Sequence, residues 1–147
     1  MDKPFISNFL YLKEISEING WGVFTNEDIP ENSLIEVSPV ILFPRDIMNM
    51  AIFFARGEGF KDNELQIDQY AINWVGSDLY EKSAIMLGYC SMYNHSNENN
   101  ARFTTDYNDR LMRVVTTKHI KKNKQVTVSY GPYWIEQKKN YLNLVEF

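Results

Sequence analysis

The chain has 147 residues, 44% hydrophobic and 14% aromatic, enough to bury a core and too apolar for a disordered polymer. Its formal net charge is −4 and its one cysteine is Cys90, so an internal disulfide and a cysteine-based zinc cluster are excluded. A nucleic-acid binder usually carries a basic face, and none is evident here.

The length suits a single domain. No apolar run approaches the ~18 residues of a membrane span. The opening MDKPFISNFLYLKE lacks a basic segment followed by a long apolar stretch, so no signal peptide is expected. One cysteine is compatible with a reducing compartment, and an intracellular location, cytoplasmic or nuclear, is expected.

In chain order, residues 5–13 read as a strand. EINGWGVFTNEDIPENSLIEVSPVILF then reads as strand, turn, strand, with Gly20 and Gly22 bracketing Trp21 and turn chemistry at Ile29-Pro30-Glu31-Asn32. Ile35, Val37, Ile41 and Phe43 share one parity, as in a half-buried strand. Residues 45–55 form the best helix candidate, and 55–64 a loop. Residues 65–75 alternate, with Asp68, Tyr70, Ile72 and Trp74 opposite Ile67, Gln69, Ala71 and Asn73, and read as a strand. ARFTTDY and RLMRVVTT flank an Asn108-Asp109 hairpin turn. KHIKKNK, 118–124, is the only basic cluster and reads as a solvated hairpin turn. Residues 125–130 form a further strand with Val126, Val128 and Tyr130 on one face. The tail PYWIEQKKNYLNLVEF reads as a short helix or an extended cover. Short strands, frequent turns and one clear helix predict a mostly β fold. The parallel βαβ pattern is missing, and Gly20-x-Gly22 lacks the third glycine of a dinucleotide fingerprint.

GYCSMYNHSNENNARF, 88–103, invites a histidine site. Yet only His95 and His119 exist, at no metal-ligand spacing, so no metal is expected. Cys90 and His95 are not paired by any sequence feature, and a lone cysteine is more often buried filler than nucleophile. Ser96 has no nucleophile-elbow motif.

Three segments point elsewhere when taken together. GWGVFTNEDIPENSLIEV resembles the opening of a SET domain, with a glutamate, Glu36, on the following strand. MYNHSNENNARF resembles that family's Asn-His-Ser signature, with Asn94, His95, Ser96 and Asn100 in register. QVTVSYG resembles the family's terminal Tyr-Gly segment and places Tyr130-Gly131 there. Tyr70-Ala71-Ile72-Asn73-Trp74 before Gly88-Tyr89 resembles compact bacterial and viral members. The likeness covers roughly Ile6 to Trp134. It implies one SET domain over 1–147, with a motif-bearing core of about 6–134 and a tail of 135–147. The implied fold is a β-clip-like set of small curved sheets, few short helices and a knot-like crossing of the C-terminal strand with the Asn-His-Ser segment.

The resemblance implies a protein-lysine methyltransferase using S-adenosylmethionine and releasing S-adenosylhomocysteine, with no metal. Its substrate would be a protein with an exposed lysine, such as a histone or histone-like tail in chromatin. The implied roles follow residue by residue. Tyr130 would be the catalytic hydroxyl. Gly20 and Gly22 would let backbone approach the cofactor, with Trp21 beside it or in the core. Asn94 and the His95 backbone would hold the cofactor, leaving the His95 ring structural. Tyr70 and Tyr93 would line the channel or the cofactor pocket. Val128 would border the lysine channel, and Tyr133 and Trp134 would either close it or cover the core. Lys124-Gln125 replaces the family's usual Glu-Glu pair, and Asn97 and Asn99 replace its usual Cys and Pro. The cysteine-rich zinc flanks of many members are not expected before residue 6 or after residue 134, so the channel would be completed by the chain's own aromatics or by a second subunit in a homodimer. The competing readings are a non-catalytic SET-like peptide-binding module and methylation of a ribosomal or translation factor.

Overall fold

The computed structural model describes residues 2–59, 70–74 and 82–131. Among the described residues, ten strands and one complete α-helix order as β1 (Phe5–Ile6), β2 (Leu10–Ile15), β3 (Gly20–Thr25), β4 (Leu34–Pro44), α1 (Arg45–Gly57), β5 (Ala71–Trp74), β6 (Lys82–Met86), β7 (Asn94–His95), β8 (Ala101–Asp106), β9 (Leu111–Thr116) and β10 (Gln125–Val128). They form two sheets. One runs β5-β6-β4-β9-β8, with β1 also paired to β4; the other runs β2-β3-β10-β7.

The mostly β fold is the one expected, with differences that have local causes. Residues 5–13 do not form one strand, because Leu10 N–H closes a turn on the Ser7 carbonyl at 3.0 Å. Gly20 and Gly22 lie inside β3, paired with Ile15 and Lys13, and not at a turn. The long strand β4 serves two neighbours. Its first half pairs with β1 and β9 and its second with β6. The register shifts between Leu34 and Glu36, leaving Ile35 as an extra residue. The expected parity does not hold along the strand: residues 35–38 are all buried, whereas Ile41 is 53% exposed.

The expected helix at 45–55 is present as α1 and runs two residues further. Of the strand expected at 65–75, residues 71–74 are observed and Tyr70 is helical instead; 65–69 and 75 lie outside the described residues, as does the tail from 132. The hairpin around Asn108-Asp109 forms as expected. The Asp106 carboxylate accepts the Asn108 and Asp109 N–H groups at 3.1 and 3.0 Å, and Arg110 takes φ 56°. In the 118–124 turn every residue but one is exposed. The exception, Ile120, is buried and exchanges both backbone hydrogen bonds with Ile29 at 2.8 and 2.9 Å. No helix among the described residues is long and apolar enough to cross a membrane.

The core lies between the two sheets. Val23, Ile35, Val114, Val126 and Val128 are fully enclosed there, each burial contributing about 1.5–3 kcal/mol. Most functional candidates sit where β10 threads this core between β3 and β7.

Candidate active site

β10 pairs antiparallel with β3 and parallel with β7, with Thr127 opposite Asn94 and Val128 opposite His95. The Asn-His-Ser segment thus lies alongside the C-terminal strand, 33 residues later in sequence. Asn100 is the clamp. Its side-chain amide donates to the Gln125 carbonyl at 2.9 Å and its side-chain oxygen accepts the Thr127 N–H at 2.9 Å. Its main chain adds Asn100 N–H to Thr127 O at 3.2 Å and accepts Thr117 N–H at 2.8 Å. Ser96 is buried, donates its N–H to Val128 O at 3.0 Å, and accepts Glu98 N–H on its hydroxyl at 3.0 Å. Such side-chain-to-backbone bonds are the local chemistry of Ser and Asn, and they hold the crossing without regular sheet on both sides.

Asn94 reaches across β10 to β3 within its own sheet. Its amide donates to the Trp21 carbonyl at 3.1 Å and to Gln125 Oε1 at 2.8 Å. Gly22 makes this approach feasible. A Cβ there would stand 2.9 Å from Asn94 Nδ2, 2.7 Å from Gln125 Oε1 and 2.6 Å from Ile15 Cδ1. Gly22 therefore makes room for the protein's own side chains. Gly20 has no such need, its nearest neighbour being at 3.5 Å. Trp21 is 51% exposed, which rules out the core reading of this ring.

His95 turns its ring toward Tyr130. Nδ1 accepts the Tyr130 N–H at 3.1 Å, so in the neutral ring the proton lies on Nε2, 3.2 Å from Asn97 Oδ1. The lone pair a general base would need is occupied. The rings of His95 and Tyr130 are 5.5 Å apart.

The Tyr130 hydroxyl donates to the Tyr93 carbonyl at 2.6 Å. Burial, with the neighbouring Tyr70 phenol adding to it, pushes this hydroxyl well above its usual pKa, against a backbone hydrogen bond from His95. Tyr130 is therefore a protonated phenol at neutral pH. Tyr70 is 41% exposed and lies close enough to act on it electrostatically. Asn94, His95 and Tyr130 are half-buried. Trp21, Asn94, His95, Tyr130 and Tyr70 form a continuous chain of neighbours.

Two candidates differ from expectation. Tyr93 is only 1% exposed, and its hydroxyl donates to Glu36 Oε2 at 2.8 Å, so its side chain belongs to the core and its contribution to the site is its carbonyl. Val128 is 0% exposed, because β10 is covered on both sides, and it packs in the core. Tyr133 and Trp134 lie outside the described residues.

Glu36 is the residue whose role the sequence left open. It is fully buried, and its carboxylate gathers the Ser38 hydroxyl at 2.6 Å, the Tyr89 N–H at 2.7 Å and the Tyr93 hydroxyl. Gly88 takes φ 62°, and a Cβ there would collide with the Glu36 carboxylate and the Ser38 hydroxyl. Gly88, Tyr89 and Tyr93 were all present in the motif, yet its spacing gave no sign of a carboxylate partner. Burial, and then the charge of Glu36, push the Cys90 thiol well above its ordinary range, which leaves it a protonated core residue.

Aromatic faces beside an amide and backbone polar groups suit a ligand carrying an adenine ring, a sulfonium and an amino-acid end. No three His, Cys, Asp or Glu side chains among the described residues are grouped so as to hold a metal ion.

Comparison with known proteins agrees with this geometry. Residues 20–131 match the SET domain family. The chain is 28% identical over 134 residues to a Schizosaccharomyces pombe histone-lysine N-methyltransferase specific for lysine 37 of histone H3, covering 90% of this chain and 81% of that protein. A crystal structure of a candidate histone methyltransferase from Plasmodium falciparum superposes with a TM-score of 0.60 at 25% identity, over 88% of this chain and 98% of that one. The chain belongs to the SET-domain family and is a protein-lysine methyltransferase.

Proposed function

We propose that this protein transfers a methyl group from S-adenosylmethionine to the side-chain amine of a lysine in a basic protein tail, of the histone or histone-like class. SET methyltransferases generally use that cofactor. When bound, it supplies the electrophilic methyl group and leaves as S-adenosylhomocysteine. The observation that carries the reading is Tyr130, whose protonated hydroxyl is anchored on the Tyr93 carbonyl at the crossing of β7 and β10.

Asn94, the His95 main chain and the β3 backbone around Trp21 would hold the cofactor. Tyr70 and Tyr130 would wall the lysine entrance. Displacement at a methyl group needs alignment and exclusion of water more than acid–base chemistry. That suits a site where the histidine lone pair is already used. The incoming lysine must be neutral, and with an ordinary pKa of about 10.4 its deprotonation at pH 7 costs roughly 4–5 kcal/mol. An aromatic wall that excludes water favours the neutral amine. Tyr130, itself protonated, would orient that amine and would not remove its proton. The net charge of −4 complements a basic substrate.

By analogy with the yeast relative, the substrate would be a histone and the protein would act in the nucleus or cytoplasm. Radiolabelled methyl transfer to histones and to cell lysate, wild type against Tyr130→Phe, tests the assignment. Transfer is expected to fall about 100-fold in the variant. Equal transfer would remove Tyr130 from the mechanism. Labelling of a ribosomal or translation factor in place of histones would redirect the substrate class. Calorimetry with S-adenosylmethionine showing no binding would favour a peptide-binding module. The chain is read as one domain, and a homodimer that completes the channel would show in gel filtration.

A further inference from the structure

We propose that Glu36 is a positioning residue for Tyr130, acting through Tyr93; the proposal rests on the methyl-transfer reading above. A carboxylate at 0% exposure is expensive to bury and is kept only where donors meet it. Three do so here. Ser38 and Tyr89 converge on Oε1, and the Tyr93 hydroxyl takes Oε2. The backbone is shaped around this group. A bulge at Ile35 shifts the register just before Glu36, and the left-handed Gly88 leaves the space a Cβ would fill.

Tyr93 is held at both ends. Its phenol is tied to Glu36, its ring meets Phe103 edge-on at 6.1 Å, and its carbonyl accepts the Tyr130 hydroxyl at 2.6 Å. Tying the phenol fixes the ring, and the ring fixes the peptide whose carbonyl aims Tyr130. Glu36 is fully enclosed by protein, so it would act on the site through its neighbours. If it served folding alone, a well-packed apolar replacement would do as well.

Tyr93→Phe removes the link and keeps the ring. Glu36→Gln keeps a link, because Ser38 and Tyr89 hold the amide oxygen at the Oε1 position and turn the NH2 toward the Tyr93 oxygen. Steady-state kinetics should show kcat falling roughly tenfold in Tyr93→Phe, as for other small misplacements of a reacting group, with the cofactor KM within about twofold. Glu36→Gln should keep kcat within about threefold of wild type. NMR of protein with 13C-labelled tyrosine rings reports the Tyr130 environment whether or not turnover occurs, and its Tyr130 signal should move in Tyr93→Phe and stay near its place in Glu36→Gln. Unchanged kcat and an unmoved Tyr130 signal in Tyr93→Phe, with only a lower melting temperature, would overturn the proposal. A wild-type protein that methylates nothing would sink the methyl-transfer reading instead, and the Tyr130 signal would still decide the link from Glu36.

Discussion

Gly22→Ala is the most direct perturbation of the crossing. The new Cβ would lie 2.6, 2.7 and 2.9 Å from Ile15 Cδ1, Gln125 Oε1 and Asn94 Nδ2. Ordinary contact requires each to retreat by about 0.5–0.8 Å. Two of the three atoms form the 2.8 Å amide pair between Asn94 and Gln125, so they cannot yield without spoiling that bond. Overpacking of this kind costs about 1–3 kcal/mol, offset by about 0.4–1 kcal/mol from the stiffer unfolded chain. A net loss of about 1–2 kcal/mol lowers the melting temperature by about 3–6 °C in a domain of this size. Losing the Asn94 bond, worth about 1 kcal/mol, would weaken S-adenosylmethionine binding about fivefold. Gly20→Ala is the control, because its Cβ would meet nothing nearer than 3.5 Å. Thermal unfolding and titration calorimetry on both variants check this. If Gly22→Ala and Gly20→Ala behave alike in both assays, the steric account of Gly22 is wrong.

Alkaline stability provides a second check. The unfolded chain releases protons from Cys90 near pH 9.0 and from Tyr93 and Tyr130 near pH 10.0, while burial in the folded state holds all three pKa values above those. Stability is therefore full below about pH 9 and falls as pH rises, by up to about 1.4 kcal/mol per pH unit for each group. Urea unfolding at pH 8, 10 and 11 should show the fall, and Tyr93→Phe should flatten it by one proton. For Asn100→Ala, the Thr127 N–H and the Gln125 carbonyl lose their partners, at a cost of about 2–3 kcal/mol. Asn99→Ala, which gives up one bond to the Ala101 carbonyl, should cost about 1 kcal/mol, and urea midpoints at constant slope separate the two.

Much of the site was legible because it is built from local chemistry. Asn94, Ser96 and Asn100 act on backbone groups, as those residue types do wherever chains turn or cross, and their spacing survives in one dimension. The hairpin at Asn108-Asp109 and helix α1 were readable for the same reason. The failures are equally specific. Ile41 shares its parity with Val37 and still faces solvent, because alternation assigns a face and not its cover: β4 pairs with β1 and β9 at Val37 but with β6 at Ile41. Val128 and Tyr93 stand within the motifs, yet both are enclosed, since β10 runs between two strands and Tyr93 points toward β4.

The sequence by itself determined the family, the set of motif residues and the candidate hydroxyl, since these depend on residue type and near-neighbour spacing. Only the tertiary structure decided what each one touches. It gave Gly22 to the Asn94–Gln125 pair, used up the His95 lone pair on Tyr130, and joined Tyr93 to a glutamate 57 positions earlier. Those relations come from strands brought together by burial. A buried carboxylate finds its donors across the core, at separations that no local pattern records.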